Sequence, residues 1–321
     1  MTRRRMLGPL RGYGVLLALV CGACAAGLPI DRLRDTTLSV ESLGSVYLID
    51  ASGEHATPVL ERKQTRARSD QLAQLFDEYY EPSLSPDGAY VACVRLGNNA
   101  HWGDLVEPQP LQSSEIMIAR VSDRSERVIM SVPRRAPAWN ILAPVWSVEG
   151  DQIFFAVDRR VWSYALAGAR LDPLVELPTR YFGGFTWDHG RGEYLRASSN
   201  GTRLFGLLRQ GIGRDPSNDA IVEIDLTNGA LSPLWSGTLS TGFSTEVDRP
   251  LPPQIGDDAA QALFGSREFP VFAPRHSRDR RFYFFGRHEV GWLGRVWVAG
   301  YDRETRREFE VRTMWRTLVW K

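Results

Sequence analysis

Glu81-Pro82-Ser83-Leu84-Ser85-Pro86-Asp87-Gly88-Ala89-Tyr90-Val91-Ala92-Cys93-Val94 is the stretch from which the rest of the chain is read. Two extended runs flank Ser85-Pro86-Asp87-Gly88. Pro86 presets φ for a tight turn, Asp87 bonds its own backbone, and Gly88 supplies positive φ, so the stretch reads as a β-hairpin. A second pair of runs follows at 115–119 and 127–130, around the turn Ser122-Asp123-Arg124-Ser125. Two hairpins in series make a four-stranded antiparallel unit of about 45 residues, the size of one propeller blade.

The unit recurs in degenerate form. Ser45-Val46-Tyr47-Leu48-Ile49-Asp50 and Thr57-Pro58-Val59-Leu60 read as the outer hairpin of a blade that lacks its inner hairpin. Pro144-Val145-Trp146-Ser147, the turn Val148-Glu149-Gly150-Asp151 and the strand 153–157 copy the organising stretch, and 161–165 with 173–177 complete that unit. A fourth unit takes 194–197, the turn Ser199-Asn200-Gly201, 203–208, 220–225, the turn Thr227-Asn228-Gly229 and 231–235. Its alternative phase begins instead at Phe185-Thr186-Trp187-Asp188. A fifth unit runs 269–273, a turn at 276–279, 282–285, 295–299, a turn at 302–305 and 308–312. Three insertions interrupt the pattern, at 61–80, 96–113 and 236–268. In the first, Ser69-Asp70 caps a short helix through Tyr79, with Leu72, Leu75, Phe76 and Tyr79 at helical spacing.

The Ser-Pro-Asp-Gly hairpin, with a later strand ending in Asp and a turn such as Thr-Asn-Gly, resembles the WD40-like repeats of TolB-type β-propellers. The resemblance covers most of residues 44–312, and only residues 85–88 carry the full motif. It implies an all-β fold: a single propeller over 28–321, with five, possibly six, four-stranded antiparallel blades. It also implies closure by pairing of strands from the two chain ends, for which 44–60 and Thr317-Leu318-Val319-Trp320 are the candidates; closure removes free sheet edges.

The N-terminus sets the expected compartment. Arg3, Arg4, Arg5 and Arg11 form a basic region, 13–20 a short apolar one, and Cys21-Gly22-Ala23-Cys24-Ala25-Ala26 a small-residue tail. Residues 1–23 read as an export signal, too short for a membrane span. Gly22-Ala23-Cys24 resembles the end of a bacterial lipobox, which makes Cys24 the candidate lipidated residue, although Cys21 stands where leucine is usual. The alternative is ordinary cleavage near Ala25 with no lipid. Thr2-Arg3-Arg4-Arg5-Met6-Leu7 also resembles a twin-arginine signal. Of the three cysteines only Cys93 then stays unmodified, so no disulfide forms and Cys93 is expected to pack as a small hydrophobe. Losing the four signal arginines takes the formal net charge from +1 to about −3, which gives no reason to expect nucleic-acid binding.

The chain carries little that points to a reaction. It has no Gly-x-Ser-x-Gly elbow and no phosphate-binding glycine loop. His55, His101, His189, His276 and His288 stand apart in sequence, although a propeller can bring distant loops together at its channel. Asp87 and Asp123 are accounted for by turns. No catalytic, cofactor-binding or metal-ligating residue is assigned, and no cofactor is expected. Trp146, Trp162, Trp235 and Trp297 sit in strands and read as inter-sheet packing. Trp102, Trp187 and Trp292, with His101, lie in loops and are the candidate partner contacts, because rigid aromatics anchor interfaces. The expected protein is therefore a non-enzymatic binding module, or an accessory subunit of an envelope complex. It would face the periplasm, be held to a membrane by lipid, and take an envelope protein or peptide as partner. The alternative is a glycan-binding or metal-dependent glycan-cleaving propeller.

Overall fold

A computed structural model describes residues 37–42, 44–50, 56–67, 74–100, 113–132, 141–177, 194–210, 218–239, 247, 250–288 and 296–311. They form five antiparallel sheets arranged as a β-propeller. The first sheet holds β1 (Thr37–Ser42), β2 (Ser45–Asp50) and β3 (Ala56–Leu60). The second holds β4 (Lys63–Ala67), β5 (Gln74–Leu84), β6 (Tyr90–Ala100), β7 (Ser113–Arg120) and β8 (Glu126–Val132). The third comprises β9 (Ile141–Trp146), β10 (Gln152–Val157), β11 (Arg160–Ala165) and β12 (Arg170–Glu176). The fourth comprises β13 (Tyr194–Ala197), β14 (Arg203–Gln210), β15 (Asn218–Asp225) and β16 (Leu231–Gly237). The fifth comprises β17 (Arg275–His276), β18 (Phe282–His288), β19 (Val296–Asp302) and β20 (Arg307–Glu310). The preferred phase of the fourth unit is the one observed.

Four sheets share the same turn, between β5 and β6, β9 and β10, β13 and β14, and β17 and β18. Oγ of Ser85, Ser147, Ser198 and Ser277 accepts the backbone N–H five residues on, from Tyr90, Gln152, Arg203 and Phe282, at 2.9–3.0 Å. Each hydroxyl donates to a nearby side chain: Asp87, Asp151, Asn200 or Asp279, at 2.6–2.8 Å. The fourth turn residue is left-handed: Gly88, Gly150 and Gly201, and in the fifth sheet Arg280 at φ 56°. A second turn family joins β7 to β8, β15 to β16 and β19 to β20. There the Oδ1 of Asp123, Asp225 and Asp302 accepts the N–H of Ser125, Thr227 and Glu304.

Alternate side chains of each strand pack on opposite neighbours, as a half-turn repeat requires. In β14, Leu204 and Leu208 join the third sheet's Phe154 and Ala156, whereas Phe205 and Leu207 face the other way. What they meet is not the fifth sheet directly. Leu239, Val247 and residues 250–272 insert there, including α1 (Asp257–Phe264), whose Ala259, Ala260, Leu263 and Phe264 are all but fully buried. Tyr194 Oη donates to the Leu263 carbonyl at 2.7 Å and ties α1 to β13. Much of the 236–268 insertion is thus an apolar wedge between the fourth and fifth sheets. The first and fifth sheets share a core of Leu38, Val40, Ile49, Phe282, Phe284, Val298 and Phe309, which brings the ring round on itself.

Two expectations fail. Of the helix placed over 69–79, residues 69–73 lie outside the described residues and 74–79 are instead the start of β5, where Tyr79 pairs with Arg95 and is fully buried. Pairing with β4 and β6 outweighs a helical spacing of apolar residues that carries no tertiary information. The inner strand placed at 269–273 falls instead at Arg275–His276, because Pro270 and Pro274 offer no N–H to a ladder and Ala273 is left-handed at φ 50°. Beyond these, β6 continues to Ala100, into the stretch read as a loop.

Cys93 is fully buried between the first and second sheets, where burial pushes its thiol up and the Glu126 carboxylate adds to the shift. Trp146 is buried between the second and third sheets, Trp162 packs partly buried against the same cluster, and Trp235 packs beside the wedge. Trp187 and the candidate closing strand 317–320 lie outside the described residues.

Among the described residues β1 is an edge strand of the first sheet. The turns at 85–88, 147–150 and 277–280 cluster at one end of the ring, and Thr37 lies among them. β1 therefore runs away from that end, as β6, β10 and β18 do, and the first sheet has no inner strand among the described residues. Deleting residues 313–321 is expected to lower the thermal midpoint by roughly 5–10 °C. Calorimetry checks this; an unchanged midpoint would mean that the inner edge of β1 needs no cover from that segment.

Candidate functional site

Three of the four serine turns, with Arg196 and Ala197 just before the fourth, surround a cavity of about 820 Å³ at the mouth of the central channel. Every sheet contributes to its wall, through Leu38 of β1, Ser83 of β5, Val145 of β9, Arg196 of β13 and Arg275 of β17. The last four hold one repeat position, two residues before the turn serine, so the turn aims that position at the axis. The residues just before the serines, Leu84, Trp146, Ala197 and His276, also reach the wall.

The wall is tied together across sheets. Ser39 Oγ donates to the Pro82 carbonyl at 3.3 Å, and Trp146 Nε1 to the Ser83 carbonyl at 2.7 Å. Arg196 crosses from β13, with Nε donating to the Pro274 carbonyl at 3.3 Å and Nη1 to the Leu195 carbonyl at 2.8 Å. Arg303 Nη2 reaches both the Gly265 carbonyl, at 2.6 Å, and His276 Nδ1, at 3.3 Å.

Charge at the mouth is predominantly cationic. Arg196, Arg275, Arg278 and Arg280 line the cavity with only Asp87 and Asp279 among the acids. Both aspartates are engaged within their own turns: Asp87 accepts from Ser85 Oγ and Ala89 N, and Asp279 from Ser277 Oγ and Arg281 N. The hydrogen bond from Ser85, then that from Ala89, holds the Asp87 carboxyl below its ordinary range. Glu81, left-handed at φ 51°, faces Arg275 at 3.7 Å. Desolvation raises the Glu81 carboxyl although Arg275 and Arg196 pull it down. Desolvation, then the nearby Arg275, brings Arg196 down to about 10. His276 is pushed down to about 3, first by burial and then by the fields of Arg303, Arg280 and Arg196, so it is neutral at physiological pH. Its Nε2 is buried without a hydrogen-bond partner.

Three guanidinium groups around His276 make a poor setting for a divalent cation. Among the described residues, no group of three His, Cys, Asp or Glu converges elsewhere either. The residues singled out from sequence, His101, Trp102, Trp187, Trp292 and Cys24, lie outside the described residues. Sequence reading missed Arg196 and Arg275. The signal was available: aligning the turns on their serines places Ser83, Val145, Arg196 and Arg275 in one column.

No protein family and no curated protein matches the sequence. Among solved structures, TolB from Acinetobacter baumannii is similar at 12% identity and TM-score 0.34, over 86% of this chain and 63% of that one. This chain thus spans less than two thirds of that TolB. An oligogalacturonate lyase from Vibrio parahaemolyticus is similar at 10% identity and TM-score 0.42, over 79% of this chain and 72% of that one. The β-propeller domain of the trilobed protease from Pyrococcus furiosus is similar at 11% and 0.35, over 85% and 66%. At these levels the likenesses carry no argument about activity. The fold rests on the five sheets themselves.

The turns differ in how far they exclude water. Ser277 is buried, so Ser277→Ala leaves the buried Phe282 N–H without its acceptor and is expected to cost about 1–3 kcal/mol. The more open Ser147→Ala is expected to cost less, about 0.5–1 kcal/mol. Urea titration of both variants measures the order, and equal midpoints would refute it.

Proposed function

We propose that this chain is a non-enzymatic binding module of the bacterial cell envelope, and that the channel mouth is the surface on which it receives a protein partner. One observation carries the reading. Among the described residues, the acids and the histidine of the mouth are already engaged: Asp87 and Asp279 in turns, Glu81 opposite Arg275, and His276 neutral beside Arg303. None stands ready as a nucleophile or general base. What remains is a rigid, cationic concavity with backbone-pinned walls, which is a recognition surface.

The compartment follows from the sequence. Residues 1–23 direct export, and Cys24 carries the lipid. The first described strand begins at Thr37, beside the mouth. The tether from Cys24 to Thr37 spans at most about 45 Å when extended, so the anchor keeps the mouth close to the membrane surface. The partner is then an envelope protein within that reach.

Two measurements test this. Mass spectrometry of the mature N-terminus is expected to find an acylated Cys24, and Cys24→Ala is expected to shift the protein from membrane to soluble fraction. A photocrosslinking residue at Arg278, on the mouth, is expected to capture one envelope protein in discrete yield. The same residue at Arg170, whose side chain is 77% exposed beside the outermost strand of the third sheet, is expected to capture none. Capture at Arg170 alone would move the interface away from the channel and end the mouth reading.

A further inference from the structure

We infer that the channel mouth recognises an acidic peptide segment, one carboxylate of which lodges between Arg196 and Arg275. The inference rests on reading the mouth as the partner-binding surface, and it specifies the chemistry of the partner.

The guanidinium of Arg196 supplies the first argument. The residue is only 9% exposed and hydrogen-bonds two backbone carbonyls, yet among the described residues no carboxylate stands within ion-pairing distance. Glu81 acts on it only from beyond contact, and a buried cation with no carboxylate in direct contact is a standing cost that an incoming carboxylate relieves. Arg275 beside it is only loosely held, because the 3.7 Å to Glu81 is beyond hydrogen-bonding distance. Planar guanidinium forks suit carboxylates, which can accept two parallel hydrogen bonds.

Backbone conformation supplies the second argument. Three of the four equivalent turns place glycine at the left-handed position, and the fourth places Arg280 there, at φ 56° and on the cavity wall. Glu81, also left-handed, is the residue opposite Arg275. Non-glycine residues in this region are held at a cost, and such residues cluster at ligand sites. Here both are charged and both belong to the same cluster. Arg280 adds positive charge, and Glu81 acts as an internal competitor for Arg275.

The rest of the wall selects peptide over sugar. Trp146, apart from His276 the one aromatic residue of the wall among the described residues, is 5% exposed with its indole N–H given to the Ser83 carbonyl, so it offers no open face on which a sugar could stack. Around the arginines stand Pro86, Val145 and Val148, small apolar surfaces suited to side chains flanking an acidic residue. The volume of about 820 Å³ accommodates several residues.

The test measures fluorescence anisotropy of labelled hepta-glutamate and hepta-glutamine on the full mature chain. Hepta-glutamate is expected to bind about tenfold tighter or more than hepta-glutamine. Arg196→Gln and Arg275→Gln are each expected to weaken it about tenfold, and Arg280→Gly less, while the last variant raises the thermal midpoint by relieving the left-handed arginine. Glu81→Gln is expected to tighten binding by freeing Arg275, a gain that a misfolded variant cannot imitate. Equal binding of the two peptides, or hepta-glutamate binding indifferent to both arginine substitutions, would overturn the inference. So would binding of an oligogalacturonate probe by a protein that ignores the peptide. If Arg278 still captures its partner while hepta-glutamate fails to bind, this inference falls and the mouth reading stands. If Arg278 captures nothing, the mouth reading falls whatever the peptide does.

Discussion

A serine hydroxyl at the corner where two neighbouring strands meet beside the channel mouth is the interaction on which this architecture depends. It accepts the N–H five residues on and donates to a nearby carboxylate or amide oxygen, and it does so in four of the five sheets. A backbone pair closes the same corner each time: N–H of Ser85, Ser147, Ser198 and Ser277 donates to the carbonyl of Tyr90, Gln152, Arg203 and Phe282. The corner fixes the register of both strands, and register decides which side chains face the axis. The arginines of the channel mouth are where they are because this corner is where it is.

Packing between sheets is less uniform than the corners. The second sheet gains a fifth strand, the first lacks an inner one among the described residues, and the gap between the fourth and fifth is filled by a helix and its flanks. Equal blades are therefore not what holds the ring. Apolar faces meeting between neighbours are, and Leu263 and Phe264 of α1 share a core with Phe205 and Tyr194 as a neighbouring sheet would. The polar ties confined to inner strands, such as Trp146 to Ser83 and Arg196 to Pro274, then stiffen the rim without determining its fold.

Most of the fold was legible where strands alternate and turns carry Ser, Asp, Asn and Gly in order. The fourth sheet emerged in its observed phase because Asn200-Gly201 and Asn228-Gly229 punctuate it so clearly. Legibility failed where long-range pairing decides. Tyr79 looks helical in its own neighbourhood and is a strand because β6 lies beside it. The fifth sheet's inner strand shrank to Arg275–His276 because two prolines withhold their donors, although its turn serine was in plain view. The candidate site was less legible still. Loop tryptophans attract attention by type, whereas Arg196 and Arg275 mean something only when superposed through the repeat, and Glu81 only once its partner is seen across the ring.

Cys93 has a practical consequence. It is sealed at the seam between the first and second sheets, with no solvent contact and a thiol that burial keeps protonated. In a chain with Cys21 and Cys24 replaced, alkylation of this sulfur would report one event, the parting of that seam. The molecule thus carries its own gauge of ring opening, readable without any added probe group.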